Sequence, residues 1–180
     1  MKLIILDRDG VINRDSDTYI KSPEEWIPLP GSLEALAHLT QVGYHVVVAT
    51  NQPGLGLGLF DIETLNRIHE KMHRLAAEAG GLIEAVFFCS DKDNANAYHK
   101  PNSGLLEDIG WRLKISLRDV PAVGDSLQDI QATQAAGAIP ILVRTGKGER
   151  TLAQVKGLEG EVLVFNDLAA ATDYILSQTG

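Results

Sequence analysis

Short unbroken apolar runs alternate with amphipathic stretches along almost the whole chain. The runs are Lys2–Leu6, His45–Ala49, Ala85–Phe88, Val120–Val123, Ile139–Val143 and Val162–Phe165. Apolar residues that follow one another without polar alternation fit strands buried on both faces. Between them, leucine and isoleucine recur at helical spacing. Ser32–Val42 carries Leu33, Leu36 and Leu39 and stops at Gly43, and Asp61 caps a long helix through Leu65, Ile68, Met72 and Leu75 that ends at Gly80–Gly81. Ser103 opens a helix through Leu106, Ile109 and Leu113, Asp125–Ala136 closes at Gly137, and Asp167–Ser177 follows the last run.

Strands that alternate with helices predict an α/β fold, a doubly wound, Rossmann-like parallel sheet with helices on both faces. Right-handed crossovers then place every strand's C-terminal end on one edge. Asp7, Thr50 and Asp125 each follow an apolar run, so the topology brings three distant polar positions to that edge.

Composition narrows the picture. The 180 residues suit a single domain, 1–180, without repeats or linkers. No apolar run approaches the ~20 residues that span a bilayer, and MKLIILDRDG is too short in its apolar part for a signal peptide. No membrane partner and a cytoplasmic location are therefore expected. One cysteine, Cys89, excludes an internal disulfide and a cysteine-rich zinc site; it reads as a buried thiol at a strand end. A net charge of -8 argues against a nucleic-acid surface. It also means that an anionic substrate needs a local positive centre.

Four segments carry candidate chemistry. In Asp7-Arg8-Asp9-Gly10, two carboxylates at a strand end can serve as nucleophile (Asp7) and general acid and base (Asp9); the plainer alternative is a solvated turn. Thr50, followed by Asn51 and Gln52, can offer a hydroxyl and amides to phosphate oxygens, although threonine ends many strands for turn reasons. Lys100, between His99 and Pro101, can neutralise a phosphoryl oxygen, or be one more solvated lysine. Asp125, in Gly124-Asp125-Ser126, is placed for a metal or for a helix N-cap, with Asp129 one turn later.

Together these four segments, in this order, resemble the haloacid dehalogenase-like superfamily of phosphotransferases, whose pattern is D-x-D-G, a Thr or Ser, a Lys and G-D-x-x-x-D. Within it, DRDGVIN, VVVATNQPG, KP-x-x-G-L-L and LVRTGKG (Leu142–Gly148) look like the histidinol-phosphate and D,D-heptose 1,7-bisphosphate phosphatase group, with the last favouring the heptose branch. The resemblance implies a phosphatase acting through an aspartyl phosphate on Asp7, with Mg2+ held by Asp7, Asp125 and the backbone carbonyl of Asp9. It implies a small phosphorylated sugar from nucleotide-heptose precursor synthesis as substrate. The cation has a physical reason. At ~4 Å and an effective dielectric near 20, each pair of unit charges repels by about 4 kcal/mol, so a phosphate dianion meets Asp7 against roughly 8 kcal/mol. Lys100 alone cannot offset that.

The chain departs from the group's pattern in three places. The group often carries a zinc loop of three Cys and one His before the Lys, whereas residues 89–100 here offer one cysteine, so no zinc is expected. His99 stands where an Arg is usual, and Ser126 where a Lys is common; both changes remove positive charge. No cap domain fits between the motifs. Specificity is then expected from the loops Asn13–Tyr19, Gln52–Gly58 and Asp91–His99, with Asp15, Asp17, Asn51, Gln52, His99 and Ser126 toward the substrate, in a monomer. Trp26 and Trp111 read as packing residues. A phospho-accepting receiver domain would need an acid after a middle strand, where Phe87-Phe88-Cys89 offers none.

Overall fold

All six apolar runs become strands of one parallel sheet, with boundaries within about two residues of the expected ones. The computed structural model describes residues 1–158 and 160–179. In chain order the elements are β1 (Lys2–Leu6), α1 (Ser32–Gln41), β2 (Tyr44–Asn51), α2 (Pro53–Gly56), α3 (Ile62–Glu78), β3 (Ile83–Cys89), α4 (Gly104–Leu113), β4 (Pro121–Gly124), α5 (Leu127–Ala135), β5 (Ile139–Val143), α6 (Gly148–Val155), β6 (Leu163–Phe165) and α7 (Leu168–Ser177). The helices α2 and α6 are additions to what the pattern predicts. Among the described residues, no helix is long and apolar enough to cross a membrane.

The absence of polar alternation in the strands has its explanation in the two cores. Ile4, Leu6, Val46 and Val48 pack on one face with Leu36 and Leu39 of α1, Ile68 and Met72 of α3, and Ile175 of α7. Their neighbours Leu3, Ile5, Val47 and Ala49 face the other way, onto Leu105, Leu106 and Ile109 of α4 and Ala132 of α5. A polar residue at either parity would be stranded in a core.

Caps set the helix starts. Asp61 accepts from the Thr64 amide at 2.8 Å, and Asp167 accepts from that of Ala170 at 2.9 Å, each worth about 1 kcal/mol. Two expectations need correction. Helix α5 begins at Leu127 and its N-cap is Ser126, whose hydroxyl accepts from the Asp129 amide in a capping box; Asp125 is thereby left outside the helix with a free role. Trp111 does not pack, for it is 78% exposed on α4, whereas Trp26 is fully buried.

The strand order is β3-β2-β1-β4-β5-β6. The chain builds outward from β1 to β3, then returns to lay β4 on the other side of β1. The crevice beyond the carboxyl ends of β1 and β4 is the topological switch point, where open α/β sheets bind ligands.

Candidate active site

Asp7 leaves β1 and Asp125 leaves β4, and because those strands are neighbours the two carboxylates meet at the switch point. The Asp7 amide donates to the Val123 carbonyl of β4 at 2.9 Å, which locks the two strand ends together. Two left-handed glycines let loops close on Asp125. Gly10, with φ +83, and Gly146, with φ +57, both pass so near its carboxylate that a Cβ at either would collide with it. The loop after β5 secures this arrangement. The Lys147 amide donates to Asp125 Oδ2 at 2.8 Å, Thr145 Oγ1 to the Gly10 carbonyl at 2.6 Å and Thr151 Oγ1 to the Asp125 carbonyl at 2.8 Å.

Lys100 enters from the segment before α4. Its ammonium donates to the Ala49 carbonyl and to Asp129 Oδ1, both at 2.7 Å, and stands 3.6 Å from Asp7 Oδ1. Asn51, at the end of β2, accepts from the Lys100 amide and donates to its carbonyl, each at 3.1 Å. Asn51 thus fixes Lys100 against β2. Burial alone would lower the Lys100 pKa, but the charges of Asp129 and Asp7 outweigh it and push it above the ordinary lysine value. Burial likewise favours a neutral Asp129, and Lys100 overcomes that, holding it at about 2.

Asp9 is held differently. Arg8, fully buried, grips it through Nε at 2.9 Å and Nη2 at 3.2 Å; Asn13 adds a bond at 2.9 Å and Gln52 one at 3.2 Å. Burial pushes the Asp9 carboxyl up, but the Arg8 charge and these donors bring it below the usual carboxylate range. Behind Arg8, His69 of α3 lies 3.1 Å from Nη1. Burial and the Arg8 charge depress this imidazole to about 3, so it is neutral and accepts from the guanidinium.

Asp7 and Asp125 have no cation at hydrogen-bond distance, the Lys100 ammonium being 3.6 Å from Asp7. Burial first, then the charge of Asp129, raise Asp7 well above the usual range against the pull of Lys100. Burial and Asp129 raise Asp125 to about 8, although the Lys147 amide and charge pull the other way. Carboxylate oxygens of Asp7, Asp125 and Asp129 all lie within 4.8 Å of one another. Asp129 is already committed: Oδ1 to Lys100, and Oδ2 to the Asp125 and Ser126 amides at 3.1 Å each. Two hard oxygen donors whose ionisation is disfavoured by their surroundings fit a hard divalent cation between them.

These groups line a cavity of about 670 Å³. Asp7, Asp9, Asp15, Asp17, Thr50, Asn51, His99, Lys100, Asp125 and Ser126 all border it. Gln52 does not; it is buried and donates to Thr50 Oγ1 at 2.9 Å as well as to Asp9, bracing both. Ser126 borders the cavity while its hydroxyl serves the α5 cap. Asp15 forms an ion pair with Lys147 at 3.1 Å. The loop from Asp91 to His99 is held by successive side-chain turns: Asp91, Asp93 and Asn96 each accept from an amide two residues on, at 2.9 Å. Sequence reasoning missed Lys147, Arg150 and Thr151 on the cavity wall, and Arg8, Asn13 and His69 behind Asp9.

The family model described as HAD-hydrolase-like matches residues 97–171. The chain is 55% identical over 179 residues, 99% of both chains, to the D-glycero-beta-D-manno-heptose-1,7-bisphosphate 7-phosphatase of Bordetella bronchiseptica. The chain belongs to the haloacid dehalogenase-like phosphatases. The Pseudomonas aeruginosa enzyme of the same name is 45% identical over 97% of each chain. Among solved structures, D,D-heptose 1,7-bisphosphate phosphatase from B. bronchiseptica, complexed with magnesium and phosphate, superposes with a TM-score of 0.96, at 55% identity over 99% of both chains. As a haloacid dehalogenase-like phosphatase, the protein is a phosphoric monoester hydrolase.

Proposed function

We propose that this chain is a Mg2+-dependent phosphatase that transfers a phosphoryl group to Asp7, and that its substrate is D-glycero-beta-D-manno-heptose 1,7-bisphosphate, cleaved at the 7-phosphate. One observation carries the reading: two carboxylates with no cation at hydrogen-bond distance, Asp7 and Asp125, stand together, with the buried Lys100 3.6 Å from Asp7. Asp7, Asp125 and the backbone carbonyl of Asp9 would hold the ion. When bound, it supplies positive charge that keeps Asp7 ionised and draws the phosphate dianion toward it. The names and bound ligands of the relatives support both the metal and the sugar.

The chain's own residues then divide the work. Asp7 attacks phosphorus in line, while Thr50 and Lys100 hold the transferred oxygens. Asp9, ionised against Arg8, is ready as the base that takes a proton from water in the second step. For the first step it must carry a proton. The substrate's negative charge raises the proton affinity of Asp9, and the proton it takes up passes to the leaving oxygen. Asn51 and Gln52 act through Lys100, Thr50 and Asp9, keeping them fixed. Steady-state rates with Mg2+ on the heptose bisphosphate and on histidinol phosphate test the substrate. A preference for the heptose ester is expected, and equal or better use of histidinol phosphate contradicts it.

A further inference from the structure

A bisphosphate brings two highly charged groups into a cavity already lined by six aspartates, on a chain of net charge -8. Lys100, only 4% exposed and tied to Asp129, is committed to the reacting group. The phosphate that is not cleaved needs a cation of its own. Helix α6 supplies one face toward the cavity: Lys147 at its N-cap, Arg150, Thr151 and Gln154 all border it. Their spacing of three, four and seven residues puts them on one side of the helix. The opposite side, with Leu152 and Val155, packs into a small core with Ile130 and Leu142.

Resting on the heptose-bisphosphate reading, we infer that Lys147, with Arg150 one turn on, forms the subsite for the remote phosphate. Lys147 suits the task because its position is fixed in advance. Its amide is bound to Asp125, its neighbours Thr145 and Thr151 are bonded to Gly10 and Asp125, and its ammonium is held by Asp15 at 3.1 Å while the side chain stays 42% exposed. An ammonium has three donors, and Asp15 takes one, which leaves two for a phosphate. Holding the lysine before the substrate arrives reduces the entropy lost on binding. Asp15 is then a positioning residue for Lys147 rather than a partner for sugar hydroxyls. A single anchored segment would thus couple the grip on Asp125 to recognition of the far end of the substrate.

The test compares the heptose 1,7-bisphosphate with the heptose 7-phosphate, which share the reacting ester and differ only in the remote phosphate. With Mg2+, the wild-type protein should favour the bisphosphate in kcat/KM. In Lys147→Met that preference should fall about tenfold or more, the worth of a charged hydrogen bond, through KM for the bisphosphate. Lys147→Arg should keep the preference, and Arg150→Gln should lower it a few-fold. A Lys147→Met protein with an unchanged ratio overturns the subsite, even if its turnover drops on both esters. Wild-type protein that hydrolyses both esters equally well also overturns the subsite while leaving the phosphatase reading intact. Hydrolysis of neither ester overturns the substrate reading and the subsite with it.

Discussion

Four buried or nearly buried aspartates meet at the carboxyl edge of β1 and β4, and they fall into two pairs that the protein treats in opposite ways. Asp9 and Asp129 each own a buried cation, Arg8 and Lys100, with bonds of 2.9 and 2.7 Å, and both carboxyls are depressed. Asp7 and Asp125, a few ångströms away, have none at hydrogen-bond distance, Lys100 standing 3.6 Å from Asp7 while bonded to Asp129, and both are raised. Desolvation acts on all four, so burial does not separate them. What differs is whether the fold supplies the compensating charge itself or leaves that to something that binds. The paired acids are held ready in position, and the unpaired ones form a seat for a cation.

The largest consequence is for turnover. Asp7→Asn should lower kcat on the order of 10⁴-fold or more, as loss of a nucleophile does. In metal-free protein the same change should raise the melting temperature, because it removes an acid whose ionisation burial and the neighbouring aspartates oppose more than Lys100 favours. Residual turnover near the wild-type level would remove Asp7 from the role. The next effect separates the pairs by stability. Asp129→Ala strands Lys100 and should cost about 3–5 kcal/mol in denaturant unfolding. Asp125→Asn in metal-free protein should cost nothing or stabilise. Equal losses in the two variants would erase the distinction.

A third consequence is in pH. A carboxyl raised on folding binds more protons in the native state than in the unfolded chain between the two pKa values. For Asp125 that window runs from the ordinary value of about 4 to about 8. Its contribution is fully present below the window and is lost as pH rises through it, at up to about 1.4 kcal/mol per pH unit. Asp129, held at about 2, has the opposite sign and acts only below about pH 4. Thermal melts of metal-free protein should therefore show falling stability from pH 4 to 8, and Mg2+ should flatten the slope. The smallest effect concerns the support behind Asp9. His69→Leu leaves Arg8 Nη1 without its acceptor and should cost about 1–3 kcal/mol, while His69→Gln, which restores an acceptor, should recover part of it.

Much of this was legible in the residues themselves. Strands buried on both faces cannot hide a polar position, so the apolar runs mark the strands to within about two residues. The D-x-D-G, Thr, Lys and G-D-x-x-x-D segments follow three of those strands and precede α4, which is why Asp7, Thr50, Lys100 and Asp125 could be named together. Helix α6 was not legible: it is eight residues long, starts among glycines and shows an apolar face of only Leu152 and Val155. With it went Lys147, although the R-T-G-K-G stretch stood out as a motif. Arg8 and His69 are 61 positions apart, and a buried arginine looks like any surface one until its partners are placed. Asn51 and Gln52 are polar residues after a strand, yet their amides turn inward to Lys100, Thr50 and Asp9, a choice set by tertiary contacts that local sequence does not carry.

The central claim, that the cations of the fold leave Asp7 and Asp125 undercompensated and that a bound ion completes them, has a direct test in proton release. Metal-free protein at pH 7 is titrated with MgCl2 in a pH-stat. Protons should be expelled as the ion binds, because a carboxyl near 8 is still largely protonated there, and Asp125→Asn should reduce the release. Binding of Mg2+ with no proton expelled, or with the same number from the variant, would contradict the account.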